Sequence, residues 1–117
     1  MPARQLEAQV RYQQRSAVIY LNGEINAFGS EALNAAYAEA EQNNPDVVLL
    51  NFAGVDYINS TGIALIVGLL AKARAAHRRL IVCGLSEHYV EIFQITRLSD
   101  FMTMFPNEES ALAGAAP

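Results

Sequence analysis

Residues 47–66 read VVLLNFAGVDYINSTGIALI. Residues 47–52 are almost continuously apolar, which predicts a strand that is buried on both faces. Residues 53–59 are more polar and predict a loop. From Ser60 the apolar residues recur with few interruptions, and they predict a largely buried helix over residues 60–77. A strand, a loop and a helix in this order are typical of one unit of an α/β sheet, with the N-terminus of the helix exposed at the sheet edge.

The segments before this stretch predict a hairpin and a first helix. Apolar and polar residues alternate over residues 6–12, and a second β-rich run covers residues 17–21, with a polar turn between them. Asn22-Gly23 should end the second strand. Ser30 can cap a helix that reaches about residue 43 before Asn43-Asn44-Pro45 stops it. The two short strands therefore form an antiparallel pair ahead of the α/β units.

The segments after the stretch continue the alternation of strands and helices. They predict a strand over 80–83, a helix over 87–95, a short strand over 101–105 and a final helix, capped by Asn107, through residue 112. We therefore expect an α/β fold with a mixed, mostly parallel sheet of four to five strands. An N-terminal antiparallel strand and about four flanking helices complete it. We expect all 117 residues to form one domain, with a core over about residues 7–113.

Composition narrows the class of protein. Hydrophobic residues make up 52% and charged residues 17%, so one packed core is expected. The net charge of −4 argues against nucleic-acid binding. The only basic cluster, Arg74, Arg78 and Arg79, is interpreted as a solvated helix end. The longest apolar run, residues 63–71, is too short to span a membrane, and the N-terminus has no signal-peptide pattern. We expect a cytoplasmic protein that binds neither nucleic acid nor membrane.

Few residues carry recognisable catalytic or metal-binding patterns. Cys83 is the single cysteine and lies in an apolar run, which indicates a buried thiol in a reducing compartment. His77 and His88 lack ligand partners at metal spacing. Residues 58–62 lack the first glycine of a hydrolase elbow, and no glycine-rich phosphate loop is present. Glu24 and Asp56 are either paired carboxylates or solvated strand ends. We expect no metal, no cofactor and no enzymatic activity.

The polar run Asn59-Ser60-Thr61 is the most informative candidate site. Each of the three side chains can cap the helix that follows, so a purely structural cap is one interpretation. Parallel strands of open α/β sheets place ligand and partner sites at their carboxyl ends, so a functional role is the other. Phe28, in a predicted loop beside Asn26, is either a partner anchor or a residue packed under a helix.

Three motifs together resemble the STAS domain of bacterial anti-sigma factor antagonists. Gly23-Glu24-Ile25-Asn26 is similar to the family's Gly-Glu-(Ile/Leu)-Asp, and Asn59-Ser60-Thr61-Gly62-Ile63 is similar to its Asp-Ser-(Ser/Thr)-Gly-(Leu/Ile). Residues 93–98, Phe-Gln-Ile-Thr-Arg-Leu, match a third family stretch. The resemblance covers about residues 7–113. Asn26 and Asn59 depart from it, because the family usually has Asp at both positions.

The resemblance implies a regulatory domain that switches partners on phosphorylation. Ser60 would be the phosphoacceptor, with Thr61 as second choice, for an anti-sigma factor that is itself a serine kinase. The unphosphorylated domain would bind this kinase and release a sigma factor, and a PP2C-type serine phosphatase would reverse the modification. The surface that we expect to contact the partner comprises Asn26, Phe28, Asn59, Ser60, Thr61 and Gly62.

Two other classes of function stay open at this stage. One is a scaffold or assembly subunit of the stressosome-like or transport-associated kind, in which Ser60 is only a cap. The other is a small enzyme or ligand binder that uses the loops at the sheet edge. The sequence also leaves open whether the domain forms a homodimer.

Overall fold

The computed structural model of the chain describes residues 4–115. Five strands and four helices follow one another in the predicted order. They are β1 (Glu7–Gln13), β2 (Ser16–Ile25), α1 (Ser30–Glu41), β3 (Val47–Ile58), α2 (Ser60–Ala75), β4 (Arg79–Cys83), α3 (Glu87–Ile95), β5 (Met104–Phe105) and α4 (Glu108–Ala115). Two short 3-10 helices, Ala27–Gly29 and Leu98–Asp100, precede α1 and β5. None of the helices within residues 4–115 is long and apolar enough to cross a membrane.

The five strands form one sheet in the order β1-β2-β3-β4-β5. β1 and β2 are antiparallel and are joined by a tight turn, while β2, β3, β4 and β5 are parallel. The α/β class, the mixed sheet and the antiparallel first strand are therefore confirmed. Each parallel connection moves one strand in the same direction, so right-handed crossovers place their helices on one face of the sheet.

Burial agrees with that placement. One large core lies between the sheet and α1, α2 and α3, and it includes the fully buried Leu33, Leu50, Ile66 and Phe93. A smaller cluster on the opposite face holds Leu49, Ile81 and Cys83 against Ala111 of α4. The first half of β3 is therefore buried on both faces, as its sequence predicts.

Several predicted element limits are wrong. β3 runs on to Ile58, so residues 53–58 are a strand and not a loop. β2 continues through Asn22-Gly23 to Ile25, because a register shift at Gly23 lets the strand bend without ending. Ser30 is the first residue of α1, which follows the 3-10 helix directly, and its side chain makes no cap.

The burial predicted for α2 is also too extensive. Ile66, Leu69, Leu70 and Ala73 are buried, but the opposite face of the helix is open to solvent. After Ser60 and Thr61, the exposed positions of the first three turns are small or apolar, namely Ala64, Val67, Gly68 and Ala71. Exposed apolar residues of this kind are common on protein surfaces, so composition does not reveal which face is covered.

Candidate functional site

The carboxyl ends of β2 and β3 bring the predicted site residues together. Ile25 and Ile58 are register partners in the parallel ladder, and Asn26 and Asn59 follow them directly. The Asn59 N–H donates to the carbonyl of Ile25 at 3.2 Å, which ties the two strand ends to each other. The 3-10 helix that carries Phe28 and the first turn of α2 therefore start side by side.

Asn59 is the cap of α2. Its side-chain Oδ1 accepts the N–H of Gly62 at 2.9 Å, and its backbone is extended as an N-cap requires. Asn26 does the same for the 3-10 helix, since its Oδ1 accepts the N–H of Phe28 at 2.9 Å. In both positions the amide does with its carbonyl oxygen what a carboxylate would do. The two departures from the family pattern therefore remove negative charge and leave the local geometry intact.

Ser60 and Thr61 are left free by this arrangement. Both residues are exposed, and within residues 4–115 neither hydroxyl makes a hydrogen bond. Their backbone N–H groups have no acceptor in the described chain either. The first turn of α2 contains no acidic residue, so the positive end of the helix dipole is not neutralised there. The purely structural interpretation of these hydroxyls as caps is wrong.

Gly62 lies beneath this turn and is buried. A Cβ atom at this position would stand 2.2 Å from the carbonyl oxygen of Ile25 and 2.9 Å from Cγ2 of Ile58. Only glycine lets α2 begin so close to the end of β2. Gly62 therefore shapes the surface from below.

Phe28 has 88% of its side chain exposed. This exposure excludes packing under a helix, because a ring packed there would be covered. It leaves the interpretation of Phe28 as an anchor for a partner. A large apolar side chain that is open to solvent next to a free helix N-terminus is available to a partner.

Tyr89 of α3 also contributes to the site, although no sequence motif marks it. Its hydroxyl oxygen accepts the N–H of Ile58 at 2.8 Å and its O–H donates to the carbonyl of Ile58 at 3.3 Å. β4 pairs with β3 only as far as Asn51, so within residues 4–115 no strand lies on that side of the far half of β3. Tyr89 supplies the missing partner at the residue directly before Asn59. An isolated tyrosine in a helix carries no signal for such a long-range contact.

The remaining candidate residues do not assemble into a second site. Asp56 accepts a hydrogen bond from Arg4 at 2.6 Å, so its carboxylate is engaged in an ion pair with a guanidinium. His77 and His88 are both exposed, and residues 4–115 contain no group of three potential metal ligands. Burial raises the pKa of the Cys83 thiol to about 11, which makes it a poor nucleophile.

The basic cluster predicted at the end of α2 is divided among separate contacts. Arg78 lies 3.6 Å from a carboxylate oxygen of Glu41 and donates to Asn44. The guanidinium of Arg74 lies 5.1 Å from the centre of the Phe101 ring. Two of the three side chains are thus engaged within the fold.

Comparison with known proteins agrees with the fold and the motifs. The family model described as STAS domain matches residues 7–111. A Bordetella bronchiseptica protein, BtrV, named as a candidate anti-sigma factor antagonist, is 31% identical over 82% of this chain and 80% of its own length. The anti-sigma-B factor antagonist of Listeria monocytogenes is 29% identical over 82% of this chain and 83% of its own. These relatives are named for regulation and not for catalysis.

Solved structures show the same architecture. An anti-sigma factor antagonist from Mycobacterium paratuberculosis superposes with a TM-score of 0.81 at 17% identity, covering 93% of this chain and 92% of its own. The Bacillus cell fate determinant SpoIIAA in its phosphorylated form gives a TM-score of 0.72 at 24% identity, covering 93% and 99% of the two chains. Sequence motifs, strand order and family match agree, and the chain belongs to the STAS domain family.

Proposed function

We propose that this chain is an anti-sigma factor antagonist that switches partners through phosphorylation of Ser60. The unphosphorylated domain binds an anti-sigma factor that is also a serine kinase, and this binding frees a sigma factor. Phosphorylation of Ser60, or of Thr61 as second choice, ends the binding, and a PP2C-type phosphatase restores it. The names of the Bordetella and Listeria relatives support the general role.

The main support for the proposal is that the helix cap and the free hydroxyls at the start of α2 belong to different residues. Asn59 caps the helix, so the hydroxyls of Ser60 and Thr61 are free for chemistry. A hydroxyl that was needed as a cap could not be modified without loss of its hydrogen bond. Here phosphorylation removes no contact made within residues 4–115.

Physical chemistry predicts how the phosphate acts. A phosphoryl group adds about −1.5 to −2 charges at neutral pH. At the N-terminus of α2 this charge meets free N–H groups and the positive end of the dipole, which stabilise it. The fold therefore tolerates the modification. Binding of a partner does not tolerate it, because a partner that covers Ser60 must desolvate the phosphate and accommodate its negative charge.

The surface that docks is formed by the exposed Phe28, Ser60 and Thr61 around the capping residues Asn26 and Asn59. Gly62 supports it from below. With Asn in place of the family's Asp at both caps, the surface carries less negative charge, and we expect the cognate kinase to lack strong basic contacts to these two positions.

The test is a phosphorylation assay with the anti-sigma factor kinases of the source organism, each purified and supplied with ATP. We expect one of them to transfer a single phosphoryl group to the wild type and none to Ser60→Ala. Thr61→Ala is the matched control and should still be modified. No transfer by any kinase of the panel, or equal transfer to Ser60→Ala, would contradict the proposal. Light scattering on the same preparations tests the scaffold alternative, which requires a large stable assembly.

A further inference from the structure

Residues 4–6, here called the N-terminal strap, lie across the carboxyl ends of β2 and β3. The Arg4 guanidinium holds the strap with three hydrogen bonds to the two strands. Nε donates to Asp56 at 2.6 Å, Nη1 donates to the side chain of Asn22 at 2.8 Å, and Nη2 donates to the carbonyl of Gly54 at 3.2 Å. The hydrogen bond to Asp56 raises the pKa of Arg4. A planar fork of donors suits such a set of acceptors.

The backbone of the strap also contacts the bend of β2. The carbonyl of Arg4 accepts the N–H of Glu24 at 3.1 Å. Gly23 has a φ of +110°, and a Cβ atom there would stand 2.6 Å from the carbonyl oxygen of Gln5. Glycine is required at this position because the strap passes directly over it.

Leu6 fixes the other end of the same segment. Its side chain is only 4% exposed, and it packs against Gly29, where a Cβ atom would stand 3.0 Å from a Leu6 methyl carbon. The strap thus contacts the chain on both sides of Asn26 and Phe28. A cavity of about 270 Å³ lies between them, lined by Arg4, Gln5, Leu6, Asn26 and Phe28.

From these contacts we infer that Arg4 is a positioning residue for partner docking. It holds the strap on the sheet, and the strap sets the orientation of the turn that presents Asn26 and Phe28. The inference rests on the proposed function, because it concerns the same docking surface. The side chains of Arg4 and Asp56 are 55% and 53% exposed, so their loss leaves the core intact.

The test compares Arg4→Ala with Arg15→Ala in the kinase assay described above. Arg15 is a matched control, because it makes an exposed ion pair with Asp46 beside the turn between β1 and β2, at the opposite end of β2. We expect Arg4→Ala to raise the KM for the protein substrate about three- to tenfold and to leave kcat unchanged. Arg15→Ala should leave both constants unchanged. Arg4→Lys should not restore the KM, since one ammonium group cannot reproduce the three-way contact.

A second measurement uses the protein alone. Hydrogen exchange should become faster in residues 22–29 of Arg4→Ala and stay unchanged in β4 and α3. An unchanged KM, an equal rise in Arg15→Ala, full rescue by Arg4→Lys or unchanged exchange in residues 22–29 would each overturn the inference. A wild type that no kinase modifies contradicts the proposed function instead, and the exchange measurement then still decides whether Arg4 positions the turn.

Discussion

Asn26 and Asn59 occupy equivalent places at the ends of two neighbouring parallel strands. Each follows one member of the register pair Ile25 and Ile58, and each accepts a backbone N–H on its side-chain oxygen at 2.9 Å. The shared geometry shows that position sets the capping role, whereas the choice of amide over carboxylate sets the charge of the surface. Stability and charge at this site can therefore be changed separately.

Replacement of Asn59 tests that separation. Asn59→Ala removes the cap and should lower the free energy of unfolding by about 1 kcal/mol. Asn59→Asp keeps the acceptor and adds a charge at the positive end of α2, so it should be as stable as the wild type or about 0.3–1 kcal/mol more stable. Urea denaturation at neutral pH measures both variants. If Asn59→Asp were clearly less stable than the wild type, capping and the helix dipole would not explain the effect of this residue on stability.

Gly62 and Gly68 form a matched pair within one helix. Gly62→Ala forces a Cβ atom onto the Ile25 carbonyl and should cost roughly 2–3 kcal/mol of unfolding free energy. A Cβ atom at Gly68 would meet no atom within 4 Å, so Gly68→Ala should raise the free energy of unfolding by about 0.5–1 kcal/mol. Thermal denaturation of the two variants is a direct check. Equal effects would argue against the close contact between α2 and the end of β2.

The Tyr89 hydroxyl gives a third prediction. Tyr89→Phe leaves the N–H of Ile58 without a buried partner and should lower stability by about 1–3 kcal/mol. Tyr57→Phe is the control, since Tyr57 is half exposed and its hydroxyl makes no hydrogen bond within residues 4–115. That variant should stay within about 0.5 kcal/mol of the wild type. Similar losses in both variants would mean that the Tyr89 hydroxyl does not hold the end of β3.

The buried thiol of Cys83 should make both its labelling and the stability of the protein depend on pH. Burial raises its pKa to about 11, so only about one thiol in a thousand is ionised at pH 8 in the native protein. A disulfide reagent should label Cys83 at pH 8 only after denaturation. The unfolded chain releases this proton from about pH 9, while the native protein keeps it until about pH 11. The thiol's contribution to stability is therefore present below pH 9 and is lost as the pH rises towards 11. Rapid labelling of the native protein would contradict the burial.

Periodicity and turn residues were enough to predict four to five strands, about four helices and the antiparallel start. They were not enough for the length of β3. Beyond Asn51 that strand has no β4 partner, and its exposed residues Asp56 and Tyr57 are polar or amphipathic as in a loop. Pairing with β2 as far as Ile25 and Ile58, together with the contact from Tyr89, lets β3 continue, and no local pattern contains these contacts.

The candidate site shows the same limit. The motif singled out Asn59, Ser60 and Thr61, and each of these three neighbouring residues could have been the cap. Only the hydrogen bond from Gly62 to Asn59 separates the structural residue from the two free hydroxyls. No sequence pattern marks Arg4, because its acceptor Asp56 lies 52 residues away in the chain.

Negative charge on Ser60 should change docking and leave folding unchanged. The most direct test compares unphosphorylated and fully phosphorylated wild-type protein for binding to the cognate kinase, with the melting temperature recorded on the same samples. We predict that the two melting temperatures agree within a few degrees while the affinity falls about tenfold or more. A large drop in melting temperature, or equal affinity of the two forms, would show that phosphorylation of Ser60 does not act on docking alone.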